Sequence, residues 1–140
     1  MKRRAFLIAG TVWALRADDA SDVWELFTDM AAALGNSEPD EFLRAFDRNM
    51  PGYADLEMNI PALLLAYDAH LSIELLNEAG DSIARTVELD WFLQIVEKQD
   101  TGGITRRREI VKCRLVKEKK KWRINSFEPL SLFALPKSTQ

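Results

Sequence analysis

A chain of 140 residues has the size of one domain. Hydrophobic residues make up 47% and charged residues 29%, with a formal net charge of −3; this excludes a disordered chain and a membrane bundle. One cysteine and one histidine exclude an internal disulfide framework and a Cys/His zinc site, so neither a metal nor a cofactor is expected.

Lys2, Arg3 and Arg4 precede an uncharged run at residues 5–15 (AFLIAGTVWAL). That run is shorter than the roughly 20 apolar residues a bilayer span needs. It fits the basic and apolar regions of a secretory signal, with cleavage after Ala14 or Ala17. Arg3-Arg4-Ala5-Phe6-Leu7 also resembles the twin-arginine export motif. Residues 1–17 are therefore read as a signal peptide, 18–136 as a single domain and 137–140 as a frayed tail. The expected location is periplasmic or extracellular; the alternative is a cytoplasmic protein whose first residues pack on the domain. Cleavage after Ala17 leaves 15 basic and 22 acidic residues, a net of −7 and no integral membrane span. Cys113 cannot pair within its chain and is expected to lie buried in a strand.

The mature chain begins in helical spacing. Ser21 is a candidate cap, and Val23, Phe27, Met30, Ala31 and Leu34 form one apolar face that Trp24 broadens, ended by Gly35-Asn36. Ser37-Glu38-Pro39-Asp40 reads as a second start, with Asp40 at the reciprocal capping position. A third helical stretch carries Tyr53, Leu56, Ile60, Leu63, Leu64 and Tyr67; Pro61 should kink it or divide it into two short helices. From Ala69 the spacing becomes alternation. Strands are expected from Ala69, over 83–97, 104–117 and 122–127, with Leu130, Leu132 and Phe133 of the tail packed on them. The fold class is α+β: N-terminal helices on a strongly curved antiparallel sheet of about four strands.

Charge is unevenly spread. Residues 18–100 carry 4 basic and 19 acidic side chains, and residues 101–140 carry 11 basic and 3 acidic. A three-residue hairpin loop at Asp100-Thr101-Gly102 pairs residues whose numbers sum to 202. Glu88 then faces Arg114, Asp90 faces Lys112, and on the other side Leu89 faces Cys113 and Trp91 faces Val111. The basic strand is thus the partner of an acidic one, which argues against nucleic acid as a ligand.

The order of elements resembles the nuclear transport factor 2-like superfamily, which includes SnoaL-like, ketosteroid isomerase and scytalone dehydratase families. The segments FDRNMPGY (46–53), RTVELDWF (85–92) and KWRI (121–124) look like those of small exported bacterial members of unestablished role. The resemblance covers about residues 20–134 and implies a cone: a sheet curled around helices, open at one end to a pocket. It does not by itself transfer a function.

Several residues could serve such a pocket. Asp90 is a candidate because acid–base members of the superfamily use a pocket aspartate; its register makes it a structural ion pair. Glu109 and Arg107 continue the apolar face of Val111, at the pocket mouth or at the sheet's fraying end, and Arg85 shares their parity. His70 alternates with Ser72 and Glu74, away from Leu71 and Ile73. Tyr53 and Tyr67 offer hydroxyls or fill the core edge. Trp24, Phe27, Trp91, Trp122 and Phe127 line a cavity or fill a core. Without a recognisable catalytic set, the expected role is non-catalytic binding of a small apolar ligand or a protein partner. Alternatives are a lyase or isomerase using a pocket carboxylate, and a structural subunit dimerising through the sheet strip of Phe92, Val96, Ile110 and Val116.

Overall fold

The computed structural model describes residues 10–99 and 102–136. Helix α1 (Gly10–Gly35) is followed by short α2 (Pro39–Leu43) and α3 (Tyr53–Ala66). Four strands follow, β1 (Tyr67–Gly80), β2 (Ala84–Glu97), β3 (Ile104–Glu118) and β4 (Lys121–Glu128), and a 3-10 turn at Leu130–Phe133 ends the fold. The strands form an antiparallel meander in the order β1-β2-β3-β4.

The helices obey the apolar spacing but not every expected boundary. Val23, Phe27, Met30 and Leu34 of α1 are buried, joined by Ala33. Ser21 does not start the helix: α1 runs through it from Gly10, because Ala, Leu and Arg favour helix and no proline intervenes. At α2, Pro39 takes the first turn and Glu38 stands at the N-cap without a side-chain bond, so the reciprocal cap expected from Asp40 does not form. α3 is one helix across Pro61, not two. The proline ring removes only the amide that would bond the Glu57 carbonyl, and five buried side chains hold the helix around that gap. Gly52 precedes α3 at φ 85. A Cβ there would lie 2.3 Å from Leu130 Cδ1, so the glycine supplies both the left-handed turn and the room for the tail.

The sheet keeps the expected faces but moves the register. Val87, Leu89, Trp91, Leu93 and Ile95 alternate inward along β2, and Val111, Cys113 and Leu115 along β3, all buried. Burial pushes the Cys113 thiol well above its usual range, so it stays protonated and unreactive. Paired residues of β2 and β3 sum to 200, not 202: Glu88 faces Lys112, Leu89 faces Val111 and Trp91 faces Glu109. The Glu97 amide donates to Gly103 O at 2.9 Å, so residues 98–102 form a five-residue connection in place of the three-residue loop. Asp100 and Thr101 lie outside the described residues. A slip of two residues preserves every face, which is why the burial pattern survives.

Two bulges shape the sheet. Leu76 is the extra residue of β1, opposite the step from Leu89 to Glu88, and Asn125 is the extra residue of β4. β4 covers only the stretch of β3 from Lys112 to Glu118. Beyond it, the 3-10 turn takes over as the cover. Ion pairing ties the layers: Lys117 Nζ lies 3.1 Å from Asp19 Oδ1, joining α1 to the end of β3.

Candidate functional site

The concave side of the sheet is filled by aromatic side chains from distant segments. Trp91 is 0% exposed. Its ring meets Phe133 at 5.6 Å between centroids and Phe127 at 5.7 Å, both edge to face. Phe133 also packs on Phe42 at 5.2 Å and on Phe127 at 5.4 Å, and Phe46 closes the group against Phe42 and Phe127. Each such contact contributes about 0.5–1.5 kcal/mol beyond its buried area. Of the two readings, lining a cavity or filling a core, the second describes Trp91 and Phe127, which pack on each other and on Phe133. The Trp91 indole N–H is enclosed and, among the described residues, finds no hydrogen-bond acceptor; the same holds for Trp122. Neither ring is held by its polar edge; both are held by packing.

Arg107 secures the cover. Its Nη1 donates to Leu132 O at 2.7 Å, pinning the 3-10 turn to the part of β3 that β4 leaves free. Burial lowers the Arg107 pKa, and Tyr67 opposes that shift. Phe42, Phe46 and Phe133, the residues that close the cone, were not singled out as site residues by sequence reasoning; the apolar tail around Leu132 was the available signal.

The remaining sequence candidates do not converge. Asp90 lies on the outer face, in a two-point ion pair with Arg108 (Nε–Oδ1 3.0 Å, Nη2–Oδ2 2.7 Å) instead of facing Lys112. Arg108 stands opposite Phe92 and reaches diagonally to the aspartate, a contact the shifted register permits. The bonds from Arg108 hold the Asp90 carboxyl below its usual range. Glu109 shares the parity of Val111, yet it is exposed, since β4 does not extend over that end of β3. His70 is exposed opposite Gln94, on the side its alternation assigned. Arg85 is bonded to Glu78 Oε2 at 2.6 Å and to Asp81 O at 2.9 Å, where it buttresses the far end of the β1–β2 hairpin. Trp24, expected among the cavity residues, is 39% exposed on α1, whereas Phe27 is in the core.

Tyr53, Tyr67 and Trp122 border three separate surface clefts. Tyr53 stands with Leu43, Phe46, Arg48 and Arg123 in one of about 720 Å³. Trp122, beneath Lys117 Nζ at 5.7 Å, faces one of about 530 Å³ between α1 and the β3–β4 hairpin. Tyr67 borders one of about 420 Å³ at the C-terminal end of α3. Among the described residues, no group of three or more His, Cys, Asp or Glu could hold a metal ion, and no helix is long and apolar enough to cross a membrane.

No protein-family model matches the sequence, and no curated protein matches it. Solved structures do match in fold. A putative scytalone dehydratase from Novosphingobium aromaticivorans superposes with a TM-score of 0.72 at 9% identity, covering 81% of this chain and 84% of that one. A type 2 hexachlorocyclohexane dehydrochlorinase (LinA) gives 0.64 at 10% identity, over 91% and 99%. An NTF-2 like protein of unknown function from Shewanella oneidensis gives 0.58 at 13% identity, over 77% and 95%.

Proposed function

This chain has the nuclear transport factor 2-like cone fold, and on that premise we propose that it is an exported, non-catalytic binding domain that engages a protein partner with its outer surface. The observation that carries the reading is Phe133, which fills the cone against Trp91, Phe127 and Phe42. A small apolar ligand in the cone would have to displace that ring. Neither carboxylate proposed for lyase or isomerase chemistry lies among the aromatic rings: Asp90 is committed to Arg108 on the outer face, and Glu109 is exposed. Two of the neighbours are described as enzymes, but the same scaffold carries unrelated roles, and function follows the site.

Export is supported by the basic residues 2–4 ahead of the apolar run at 5–15. Cleavage after Ala14 or Ala17, both within α1, leaves Asp19 and its pair with Lys117 in the mature chain. N-terminal sequencing of the exported fraction reads the cleavage point directly; retention of Met1 there overturns this part of the reading.

An apolar fluorescent dye such as anilinonaphthalene sulfonate tests the cone. The native chain is expected to show no saturable site, and Phe133→Ala to acquire one. Saturable binding by the native chain, competed by small apolar molecules, replaces the protein-partner reading with a ligand-binding one.

A further inference from the structure

Two separate segments meet at the cleft beside Tyr53. Residues 46–53 supply Phe46, Asp47, Arg48 and Tyr53, and residues 121–124 supply Arg123. The backbone holds them in place. The Asp47 amide donates to Ile124 O at 2.8 Å and the Ile124 amide to Ala45 O at 2.8 Å, so the stretch that leaves α2 is tied to β4. Asp47 Oδ1 accepts the Asn49 amide at 2.9 Å. The Tyr53 amide donates to Met50 O at 3.0 Å, which carries the chain into α3. A cleft fixed in this way loses little freedom when it is filled.

Its polar groups divide into used and unused. Arg44 is paired with Glu41 at 2.7 Å. Arg123 donates to Arg44 O at 2.9 Å, and Glu118 lies 3.9 Å from its Nε. Asp47 is engaged by its own loop. Tyr53, by contrast, is only 8% exposed, yet its hydroxyl is not enclosed and has no partner among the described residues. That donor opens on the cleft. Arg48, Asp40 and Glu57 line the same cleft, and among the described residues none of them is paired. Tyr53 and Glu57 stand one turn apart on the same side of α3. The unused set is one cation and one hydroxyl, with two carboxylates beside them.

That set describes an occupant. A carboxylate matches a hydroxyl donor beside a guanidinium, and Tyr53 opens α3, where the helix dipole favours a negative group. Asp40, Asp47, Glu57 and Glu118 in the lining disfavour a dianion such as phosphate. They admit a monoanion that arrives with a cation, and Glu57 and Asp40 are free to meet that cation. A polypeptide terminus preceded by a basic side chain carries both groups. We infer that this cleft captures the C-terminal carboxylate of the protein partner on Tyr53 and Arg48, and that a lysine or arginine among the partner's last residues meets Glu57 and Asp40. The inference rests on the reading of the chain as a binder that uses its outer surface; it gives that surface a place and the partner a chemistry.

Titration of the isotope-labelled protein with N-acetyl-lysyl-alanyl-alanine, followed by NMR, tests it. A dissociation constant of about 0.1–1 mM is expected for so small a probe, with amide shifts confined to residues 40–57 and 118–123. Amidation of the peptide's carboxylate should weaken binding at least tenfold, and replacing its lysine by alanine should weaken it about threefold. Tyr53→Phe keeps the ring in the core; it should weaken the free acid roughly fivefold and leave the amide unaffected. Arg48→Ala should act in the same way, and Glu57→Gln should abolish the preference for lysine over alanine. The spectrum of each variant reports its folding directly. Free lysine that binds as tightly as the peptide, an amide that binds as tightly as the acid, or an acid whose affinity survives both Tyr53→Phe and Arg48→Ala overturns the inference. Absence of binding at about 10 mM peptide with a cone that excludes the dye overturns the terminus site alone; a native cone that takes up the dye overturns the reading beneath it.

Discussion

Replacing Phe133 by alanine removes the ring that closes the cone. The side chain is fully buried and contacts three other rings, those of Phe42, Trp91 and Phe127. Truncation of a core phenylalanine costs about 3–5 kcal/mol when its surroundings cannot collapse. Here one wall is rigid: Trp91 sits in the middle of β2, flanked by β1 and β3. The other wall is the short turn at Leu130–Phe133, which can follow inward until Arg107 stops it through Leu132 O. Partial relaxation therefore places the expected loss at about 3 kcal/mol, near the low end of that range. Urea unfolding, followed by tryptophan fluorescence, is the assay. With a slope of about 1.5 kcal/mol/M for a domain of this size, the midpoint should fall by about 2 M. Phe133→Leu retains much of the volume and should lose about 1 kcal/mol. A loss below about 1 kcal/mol for the alanine variant, with an unchanged slope, refutes the claim that this ring seals the interior.

The β3–β4 turn places Lys119 at φ 48 and Lys120 at φ 71, a left-handed pair that suits Asn-Gly far better than two lysines. Lys119→Asn with Lys120→Gly should stabilise the protein by about 1–2 kcal/mol, read as a higher urea midpoint; an unchanged or lower midpoint removes the strain argument. The Asp90 carboxyl titrates below its ordinary value because Arg108 bonds it. A depressed folded pKa gives stability that is present above the unfolded value of about 3.9 and is lost as pH falls through the folded one. The stability gap between native protein and Asp90→Asn should therefore be open at pH 7 and narrow as pH drops below about 4. A gap of constant size down to pH 2.5 would contradict that pairing.

Much of this architecture was legible because burial writes itself into spacing. The alternation of Val87, Leu89, Trp91, Leu93 and Ile95 identifies the inner face of β2, and the period that marks it is indifferent to a slip of two residues. The hairpin centre was harder to read, since closing the pair at Gly103 with Gln99 or with Glu97 leaves every face unchanged. Gly102 does take a left-handed φ of 65, but within the longer connection. At the start of α1, Ser21 has the chemistry of a cap, and the residues before it have enough helical preference to override it. The interior was least legible. An inward aromatic has the same spacing whether it lines a void or fills one, and the answer depends on Phe42, Phe46 and Phe133, which are brought there from other parts of the chain. Asp90 shows the same limit on a smaller scale: its face was readable, but its partner reaches it diagonally.

The lid of this domain is the short turn that follows β4, held to the sheet by the Phe133 ring and by the Arg107 guanidinium through Leu132 O. The strands that shape the hollow and the segment that occupies it can therefore diverge separately. A new chamber would demand no change of topology, only a smaller ring at one position. On this scaffold, the step from a solid body to a hollow receptor is one that a single short turn can carry.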